Sequence, residues 1–452
     1  MKPSRETIAA IRFGYGLRPG EAPPADADAL MAQLAAGPAF VPPFVTEEDL
    51  LEPFRAFEAM RTDKGEVAGR QDALRTFRRQ IRQGFARAQR DRAIAPIFSP
   101  HGFFERLAWF WSAHFAVAGK NLPASALAPR MEAEAIRPHL AGPFHLLLRA
   151  AATHPAMVVY LDQTNSIGPN SPAARGRGGL NENLAREIIE LHTLGVGAGY
   201  TQQDVRQFAE LLTGLTYDAA TGRPDFIPRR AEPGQELILG RLYGGAGPHI
   251  RDVHAALDDL AAHPATVKRL CAKLAAHFVA DDPPESLVTE MEAAWRRSDG
   301  NLSEVYAAML DHDESWSRFG EKVKQPFDFV ASSWRAVGAT AEEIEALHMG
   351  SRPRAFLANP FARLNHEPYN PPGPQGWPEA AEAWITPQGL SARIEWVSYL
   401  AREVAPRRDP RALLAEALPG VAGEATTFAA TNAAERWEGI ALALVSPEFN
   451  RR

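Results

Sequence analysis

The residues best suited to chemistry follow one another along one predicted helix. Residues 181–195 read Asn-Glu-Asn-Leu-Ala-Arg-Glu-Ile-Ile-Glu-Leu-His-Thr-Leu-Gly. At about 100° per residue, Asn183, Glu187 and Glu190 fall on one face of this helix. Two carboxylates one turn apart can bind a cation or take part in acid–base catalysis. They can equally form surface salt bridges, worth about 0.3–0.5 kcal/mol each, with Arg186 placed four residues before Glu190.

Two histidines extend this set of candidates. His192 lies near the end of the same helix. His114 belongs to a second predicted helix, 103–118, which is apolar nearly all round and should be central. A histidine on such an apolar face is either a core residue or a ligand. The candidate catalytic residues are Glu187, Glu190, His192 and His114.

Further polar and aromatic residues lie in loops rich in glycine and proline. Residues 365–378 contain Tyr369 and Trp377, rigid aromatics that suit substrate stacking or a protein contact, although a proline-stiffened loop can also simply pack on the core. Segment 195–201 is glycine-rich and leads into a helix, so it either holds an anion or forms a tight turn. The candidate binding residues are Asn181, Asn183, Arg186, Arg229, Arg230, Tyr369 and Trp377.

The elements that must position these residues are helices. Apolar residues recur at steps of three and four along most of the chain, one continuous helix is expected near 129–150, and strand character is confined to 236–243. The pattern predicts an all-α, multi-helical globular protein built of packed helical hairpins, with at most a small β-hairpin. Three regions are expected: 1–165 with a basic helix, 166–320 with the helix that begins at Asn181, and 321–452 with the aromatic loop.

The basic helix spans residues 70–92. Leu74, Phe77, Ile81 and Phe85 form its apolar stripe, and eight arginines but only two aspartates occupy the other faces. Such a helix can meet an acidic partner, or its arginines can be just the solvated side of an amphipathic helix.

Composition restricts the functional classes. The chain has 452 residues and a net charge of −6, which does not suggest a nucleic-acid binder. Its single cysteine, Cys271, excludes an intramolecular disulfide and a thiolate metal cluster. The motifs of common hydrolases and kinases do not occur. Neither an export signal nor a membrane span is visible, so the cytoplasm is the default expectation.

Several segments resemble a known family. The stretch 181–201 is the most specific, and other matching segments are Arg-Phe-Gly-Tyr-Gly-Leu-Arg-Pro-Gly-Glu at 12–21, Glu-Arg-Leu-Ala-Trp-Phe-Trp at 105–111 and Pro-Gln-Gly-Trp at 374–377. Together they resemble the bacterial uncharacterised family DUF1800 over nearly the whole chain. The resemblance implies a helical protein encoded beside a sulfatase- or phosphatase-like protein that bears a twin-arginine export signal.

This chain departs from the family pattern at two places. Residues 111–115 read Trp-Ser-Ala-His-Phe where many members look like Trp-His-Asn-His-Phe, and 229–234 read Arg-Arg-Ala-Glu-Pro-Gly where members tend to have Arg-Arg-His-Glu-Pro-Gly. Both changes remove histidines, so the resemblance does not extend to a histidine-rich metal site here.

Two functional hypotheses follow. The leading one is an accessory or binding component that acts with a sulfatase- or phosphatase-like partner, in the cytoplasm or, by co-export with that partner, in the periplasm. The alternative is an enzyme that uses Glu187 and Glu190 with His114 or His192 around a divalent cation or a water molecule. The sequence does not identify a cofactor, and whether a metal is bound stays unknown.

Overall fold

The computed structural model describes residues 3–40, 47–63, 69–174, 179–348, 359–406 and 408–452. Helices dominate these residues. The α-helices are α1 (Arg5–Ile8), α2 (Ala27–Ala36), α3 (Glu47–Thr62), α4 (Arg70–Phe98), α5 (Gly102–His114), α6 (Leu122–Met131), α7 (Phe144–Ala152), α8 (Pro155–Tyr160), α9 (Asn183–Glu187), α10 (Gln202–Leu211), α11 (Ile250–Ala262), α12 (Pro264–Phe278), α13 (Glu285–Arg297), α14 (Leu302–Asp311), α15 (Glu314–Ser317), α16 (Pro326–Val337), α17 (Ala341–His348), α18 (Pro387–Glu403), α19 (Pro410–Ala417), α20 (Glu424–Thr431) and α21 (Arg436–Val445).

Wider and tighter turns join some of these helices. The π-helical turns are Ala9–Phe13, Glu132–Ile136 and Ile188–His192. The short 3-10 helices are Arg137–His139, Gln163–Asn165, Pro228–Arg230 and Ala381–Ala383. The strands are β1 (Leu215–Asp218), β2 (Arg223–Phe226), β3 (Gln235–Ile238) and β4 (Arg241–Gly244).

The predicted mostly α-helical, multi-helical fold is confirmed, and the four strands form two separate antiparallel hairpins. The pair β3–β4 coincides with the expected strand segment, whereas β1–β2 was not indicated by the sequence. The tight turn of β3–β4 contains Leu239 and Gly240, both with positive φ. A leucine rarely adopts this conformation. It is held here because its backbone N–H donates to Asp204 Oδ1 at 2.7 Å.

Helix α5 lies between two hydrophobic cores. Phe103, Leu107 and Trp111 belong to a core built from the first three quarters of the chain. Trp109, on another face of α5, belongs to a core made largely of residues beyond 326. Every side chain from Phe103 to Trp111 is buried, as expected for a helix that is apolar nearly all round. The predicted division at 165 and 320 stays a prediction.

The helix expected over 129–150 is interrupted. The chain leaves α6 through the π turn at Glu132–Ile136 and the 3-10 helix Arg137–His139, and α7 begins only at Phe144. Proline explains both breaks, because Pro138 lies in the 3-10 helix and Pro143 caps the start of α7. Four shorter elements therefore replace one continuous helix: the end of α6, the π turn, the 3-10 helix and the start of α7.

Among the described residues, no helix combines the length and the apolar character needed to cross a membrane. The single cysteine, Cys271, is fully buried in the first core, and burial raises the pKa of its thiol. It therefore behaves as a small hydrophobic residue.

Candidate functional site

The segment that begins at Asn181 starts as α9 and finishes as a π turn, Ile188–His192. The sequence predicts Leu184, Ile188 and Leu191 as its buried stripe. Leu184 and Ile188 are fully buried, but Leu191 is partly exposed and His192 is buried instead. The wider π turn rotates the later side chains relative to an α-helix, which explains the difference.

Two side chains stabilise this wide turn. The hydroxyl group of Thr193 donates to the carbonyl oxygen of Ile188 at 2.6 Å. Arg269 Nη1, from α12, donates to the carbonyl oxygens of Leu191 at 2.6 Å and Thr193 at 3.4 Å. The side chains of Thr193 and Arg269 thus donate hydrogen bonds to carbonyl groups that the π turn leaves unpaired.

The predicted carboxylates lie on the outer side of this segment. Arg186 donates to Glu182 at 3.0 Å and to Glu190 at 3.4 Å. Glu190 also accepts a hydrogen bond of 2.8 Å from the hydroxyl group of Tyr200. Glu187 is partly exposed and accepts no hydrogen bond from any described residue. Burial, and then the charge of Glu190, raise the pKa of Glu187.

The two histidines lie on the inner side, close to each other. The ring centroids of His114 and His192 are 5.7 Å apart, and His114 Nε2 lies 3.1 Å from the carbonyl oxygen of His192. Burial and the charge of Lys273 lower the pKa of both rings, to about 3 for His192. The structure therefore divides the predicted catalytic set into an outer carboxylate pair and an inner histidine pair.

Lys273 of α12 completes the inner group. Its Nζ atom lies 3.1 Å from Nδ1 of His114. Because a lysine ammonium group can only donate, Nδ1 must accept, and Nε2 then carries the hydrogen that His192 accepts through its carbonyl oxygen. This arrangement fixes one neutral tautomer of His114. Burial, together with the charge of Arg269, lowers the pKa of Lys273 to about 8.

The residue directly after the aromatic loop contributes a carboxylate to the same region. Glu379 follows Trp377 in the chain and accepts from His277 Nδ1 at 2.7 Å and from Gln325 Nε2 at 3.2 Å. Lys322 Nζ lies 3.3 Å from Glu379 Oε2. Burial alone would raise the pKa of Glu379, but His277 and Lys322 lower it overall. Glu379 is thus a carboxylate at neutral pH.

The predicted aromatic residues pack inward. Trp377 stacks on Trp109 with ring centroids 5.2 Å apart. The hydroxyl group of Tyr369 donates to Glu132 Oε2 at 3.0 Å. The cavity beneath both rings has a volume of about 20 Å³, enough for roughly one water molecule. These contacts are those of a proline-stiffened loop that packs on the core, rather than those of aromatic rings exposed for stacking on a substrate.

The remaining predicted binding residues either donate hydrogen bonds to backbone carbonyl groups or face solvent. Asn181 Nδ2 donates to the carbonyl oxygens of Leu161 and Asp162, each at 3.1 Å. Arg230 donates to the carbonyl oxygens of Thr164 and Ser166 in the same turn. Asn183 and Arg229 are exposed. Asn181 and Arg230 are therefore brought together, but their side chains are occupied by backbone carbonyl groups.

Sequence reasoning missed Lys273, Arg269 and Glu379. A signal was present, because Arg269, Lys273 and His277 recur every fourth residue along α12 and so lie on one face. The position of Glu379 could not be inferred, since it depends on how the aromatic loop packs.

Two larger surface grooves flank α11. One of about 490 Å³ is bordered by Phe226, His249 and His254. The other, of about 400 Å³, is bordered by Asp258, Asp259 and Asp299. No described residue of the predicted set borders either groove. Over the ranges that the structure describes, no group of three or more His, Cys, Asp or Glu side chains is arranged to hold a metal ion.

Comparison with known proteins gives one match. The family model described as a protein of unknown function, DUF1800, matches residues 8–451. No curated protein and no solved structure matches the chain. Because the matched range includes the helix that begins at Asn181, both histidines, Lys273 and the aromatic loop, and covers nearly all of the sequence, the chain belongs to the DUF1800 family.

Proposed function

We propose that this protein is a binding component that acts with a partner protein, and that the partner docks on the exposed arginine face of α4. The observation that carries this proposal is a concentration of positive charge on a chain whose net charge is −6. The arginine face comprises five exposed side chains, Arg75, Arg78, Arg79, Arg82 and Arg87.

Few acidic residues neutralise this face. Arg75 pairs with Asp72 at 3.2 Å, and Arg87 lies 3.7 Å from Asp49. Arg79 and Arg82 form no ion pair with any described residue. Guanidinium groups are weakly hydrated and suit bidentate contacts with carboxylates, so an acidic protein surface is the complementary partner.

The family resemblance suggests the kind of partner. We propose that the partner is a sulfatase- or phosphatase-like protein with an acidic docking surface, and that this chain is located in the same compartment as the partner. In this proposal the protein works in the cytoplasm, or in the periplasm after export together with a partner that carries the signal.

The test is native mass spectrometry of tagged protein purified gently from its own host. We expect a bound partner with the wild type, and loss of that partner with the double substitution Arg79→Glu and Arg82→Glu. The control is Arg297→Glu with Arg411→Glu, which makes the same charge change at exposed positions on α13 and α19. The complex should also weaken with salt, because exposed charges are screened beyond about 8–10 Å at physiological ionic strength.

A bare wild-type chain at every stage of purification would contradict the proposal. Equal retention of the partner by both double variants would contradict the assignment of the arginine face, while leaving the partner itself established.

A different observation favours the enzyme alternative. Glu187 is partly buried, has no hydrogen-bonding partner among the described residues, and has a raised pKa because of burial and the nearby Glu190. Such a carboxyl group can take up or release a proton in exchange with a bound ligand. The test compares metabolite profiles of host extract incubated with the wild type and with Glu187→Gln, with and without added Mg²⁺. Depletion of a metabolite by the wild type alone supports the enzyme, and identical profiles contradict it.

A further inference from the structure

Lys273 lies in the middle of the polar row on α12, at the point where several elements meet. Arg269 is one turn before it and His277 one turn after it on the same face. His114 approaches from α5, and Glu379 approaches from the position directly after the aromatic loop. The Lys273 residue is partly exposed, and its amine lies on the polar face of α12 among these groups.

His114 orients the Lys273 amine. The 3.1 Å contact between Lys273 Nζ and His114 Nδ1 uses one N–H of the lysine. A neutral amine keeps this donor and still has its lone pair free. His114 is itself fixed, because its other ring nitrogen is bonded to the backbone of His192. The amine is therefore held by a neutral acceptor and is not tied up in an ion pair with a carboxylate.

The surroundings of Lys273 favour its neutral form. Burial and the charge of Arg269 lower its pKa to about 8, although Glu379 acts in the opposite direction. His114 and His192 are neutral at pH 7, because burial and neighbouring charges lower the pKa of each. At pH 7 the neutral fraction of such an amine is on the order of a hundred-fold larger than that of an ordinary lysine.

Arg269 offers a cationic group beside this amine. Its Nη1 atom is used by the carbonyl oxygens of Leu191 and Thr193. Its Nη2 atom has no hydrogen-bonding partner in the part of the chain that the structure describes, and the residue is partly exposed. The Cβ atoms of residues four apart on a helix lie about 5–6 Å apart, so Arg269 and Lys273 are neighbours on one face of α12.

We propose that Lys273 forms an imine with a small carbonyl compound that carries a carboxylate group, and that Arg269 binds that carboxylate. The lone pair of Nζ attacks the carbonyl carbon, and the new C–N bond gives a carbinolamine. The C–O bond then breaks and the oxygen leaves as water with the two protons that the amine loses, which solvent transfers. No oxidant or reductant is needed.

This site is independent of partner docking on α4. It adds a ligand, a 2-oxo acid or a similar anionic aldehyde or ketone, to a protein whose proposed docking face lies elsewhere. His114 acts as a positioning residue in this scheme, and Lys273 alone makes the covalent bond.

The experiment traps the imine in the full-length protein. Wild-type protein is incubated at pH 7 with glyoxylate and cyanoborohydride, which converts an imine into a stable N-carboxymethyl group, and modified lysines are located by peptide mass spectrometry. The chain has seven lysines, so each can be followed. Lys268, exposed on the same helix, is the internal control. We expect modification of Lys273 on the order of tenfold above that of Lys268, because of its larger neutral fraction.

Two comparisons complete the test. Lys273→Arg, checked for folding by circular dichroism, should lose the modification in its peptide while Lys268 labels as before. Propanal, a neutral aldehyde, should modify Lys273 much less than glyoxylate does. If Lys268 were modified as much as Lys273, labelling would depend on exposure alone, and the proposal that the Lys273 amine is unusually reactive would be overturned. Equal labelling of Lys273 by propanal and glyoxylate would overturn the assignment of an anionic ligand.

Discussion

His114 donates a hydrogen bond of 3.1 Å to the backbone carbonyl oxygen of His192, and this bond connects the central helix α5 to the end of the π turn. Only the backbone of His192 is used in this way. Both nitrogen atoms of its fully buried ring lack a hydrogen-bonding partner among the described residues. Because an unpaired buried polar group destabilises a fold, the ring of His192 lowers the stability of the core.

We therefore predict that His192→Leu stabilises the protein, most strongly in acid. The unfolded chain takes up a proton on this histidine near pH 6.5, whereas the folded protein resists it down to about pH 3. The unfolded state thus binds more protons in this range, and stability is lost as pH falls from 6.5 toward 3. His192→Leu removes this loss, and urea unfolding at pH 4.5 should show a gain of about 2 kcal/mol over the wild type.

The control for this substitution is His145→Leu, at a partly exposed histidine of α7. It should change stability by less than about 0.5 kcal/mol at either pH. A His192→Leu variant that is less stable than the wild type at both pH 7 and pH 4.5 would show that the imidazole ring has a role in packing or in binding that outweighs its missing hydrogen bonds.

The local features of the region around Asn181 are readable from the sequence, and the contacts between elements are not. Thr201 and Asp204 form a capping box, and their Thr-x-x-Asp spacing is visible in the sequence. The 3.6-residue period also predicts most helices and the burial of α5. The approach of His114 to His192 joins residues 78 positions apart, which no local pattern encodes.

An irregular backbone segment explains why the buried face of the helix that begins at Asn181 was only partly predicted from the sequence. The π turn at Ile188–His192 depends on Arg269, from another helix, to hold its carbonyl groups. A regular α-helix over this segment would bury Leu191, whereas the structure buries His192. Similarly, Tyr369 and Trp377 look like exposed binding aromatics in a proline-rich loop until their partners Glu132 and Trp109 are known.

A second prediction concerns Glu236 on β3. Its side chain is buried, and burial followed by the charges of Glu210 and Glu232 raises its pKa to about 7. The unfolded chain releases this proton near pH 4.5, so the folded state binds more protons between pH 4.5 and 7. The contribution of Glu236 to stability is therefore greatest below pH 4.5 and is lost as pH rises to about 7.

We expect Glu236→Gln to stabilise the protein by about 1–2 kcal/mol at pH 8 and to have little effect at pH 4.5. Glutamine cannot ionise, and its amide can donate to Glu210 as the protonated carboxyl group does. Thermal unfolding at both pH values measures the effect. Glu232→Gln, at a partly exposed carboxylate that accepts a hydrogen bond of 2.9 Å from the backbone of Asn170, is the comparison and should destabilise. A stability gain for Glu236→Gln that is the same at both pH values would contradict the raised pKa.

The last prediction concerns the buried ion pairs beneath Tyr15. Asp328 Oδ2 lies 2.9 Å from Arg106 Nη1 and 3.3 Å from Arg452 Nε, and all three side chains are fully buried. Burial alone would raise the pKa of Asp328, but the two guanidinium groups lower it overall. Asp328→Asn leaves both arginines charged in the interior without their anion. We expect a loss of about 3–5 kcal/mol in the free energy of unfolding, measured by urea titration at pH 7.

The matched control is Asp258→Asn, which removes the anion from the ion pair with Arg149. There both side chains are about one third exposed, at 31% for Arg149 and 34% for Asp258. Water can therefore solvate the arginine that remains, and the loss should be below about 1 kcal/mol. Equal losses of stability for the two variants would contradict the prediction that burial determines the loss. In that case the hydrogen bond from Arg106 to the carbonyl oxygen of Gly14 would be sufficient to stabilise the buried guanidinium charge.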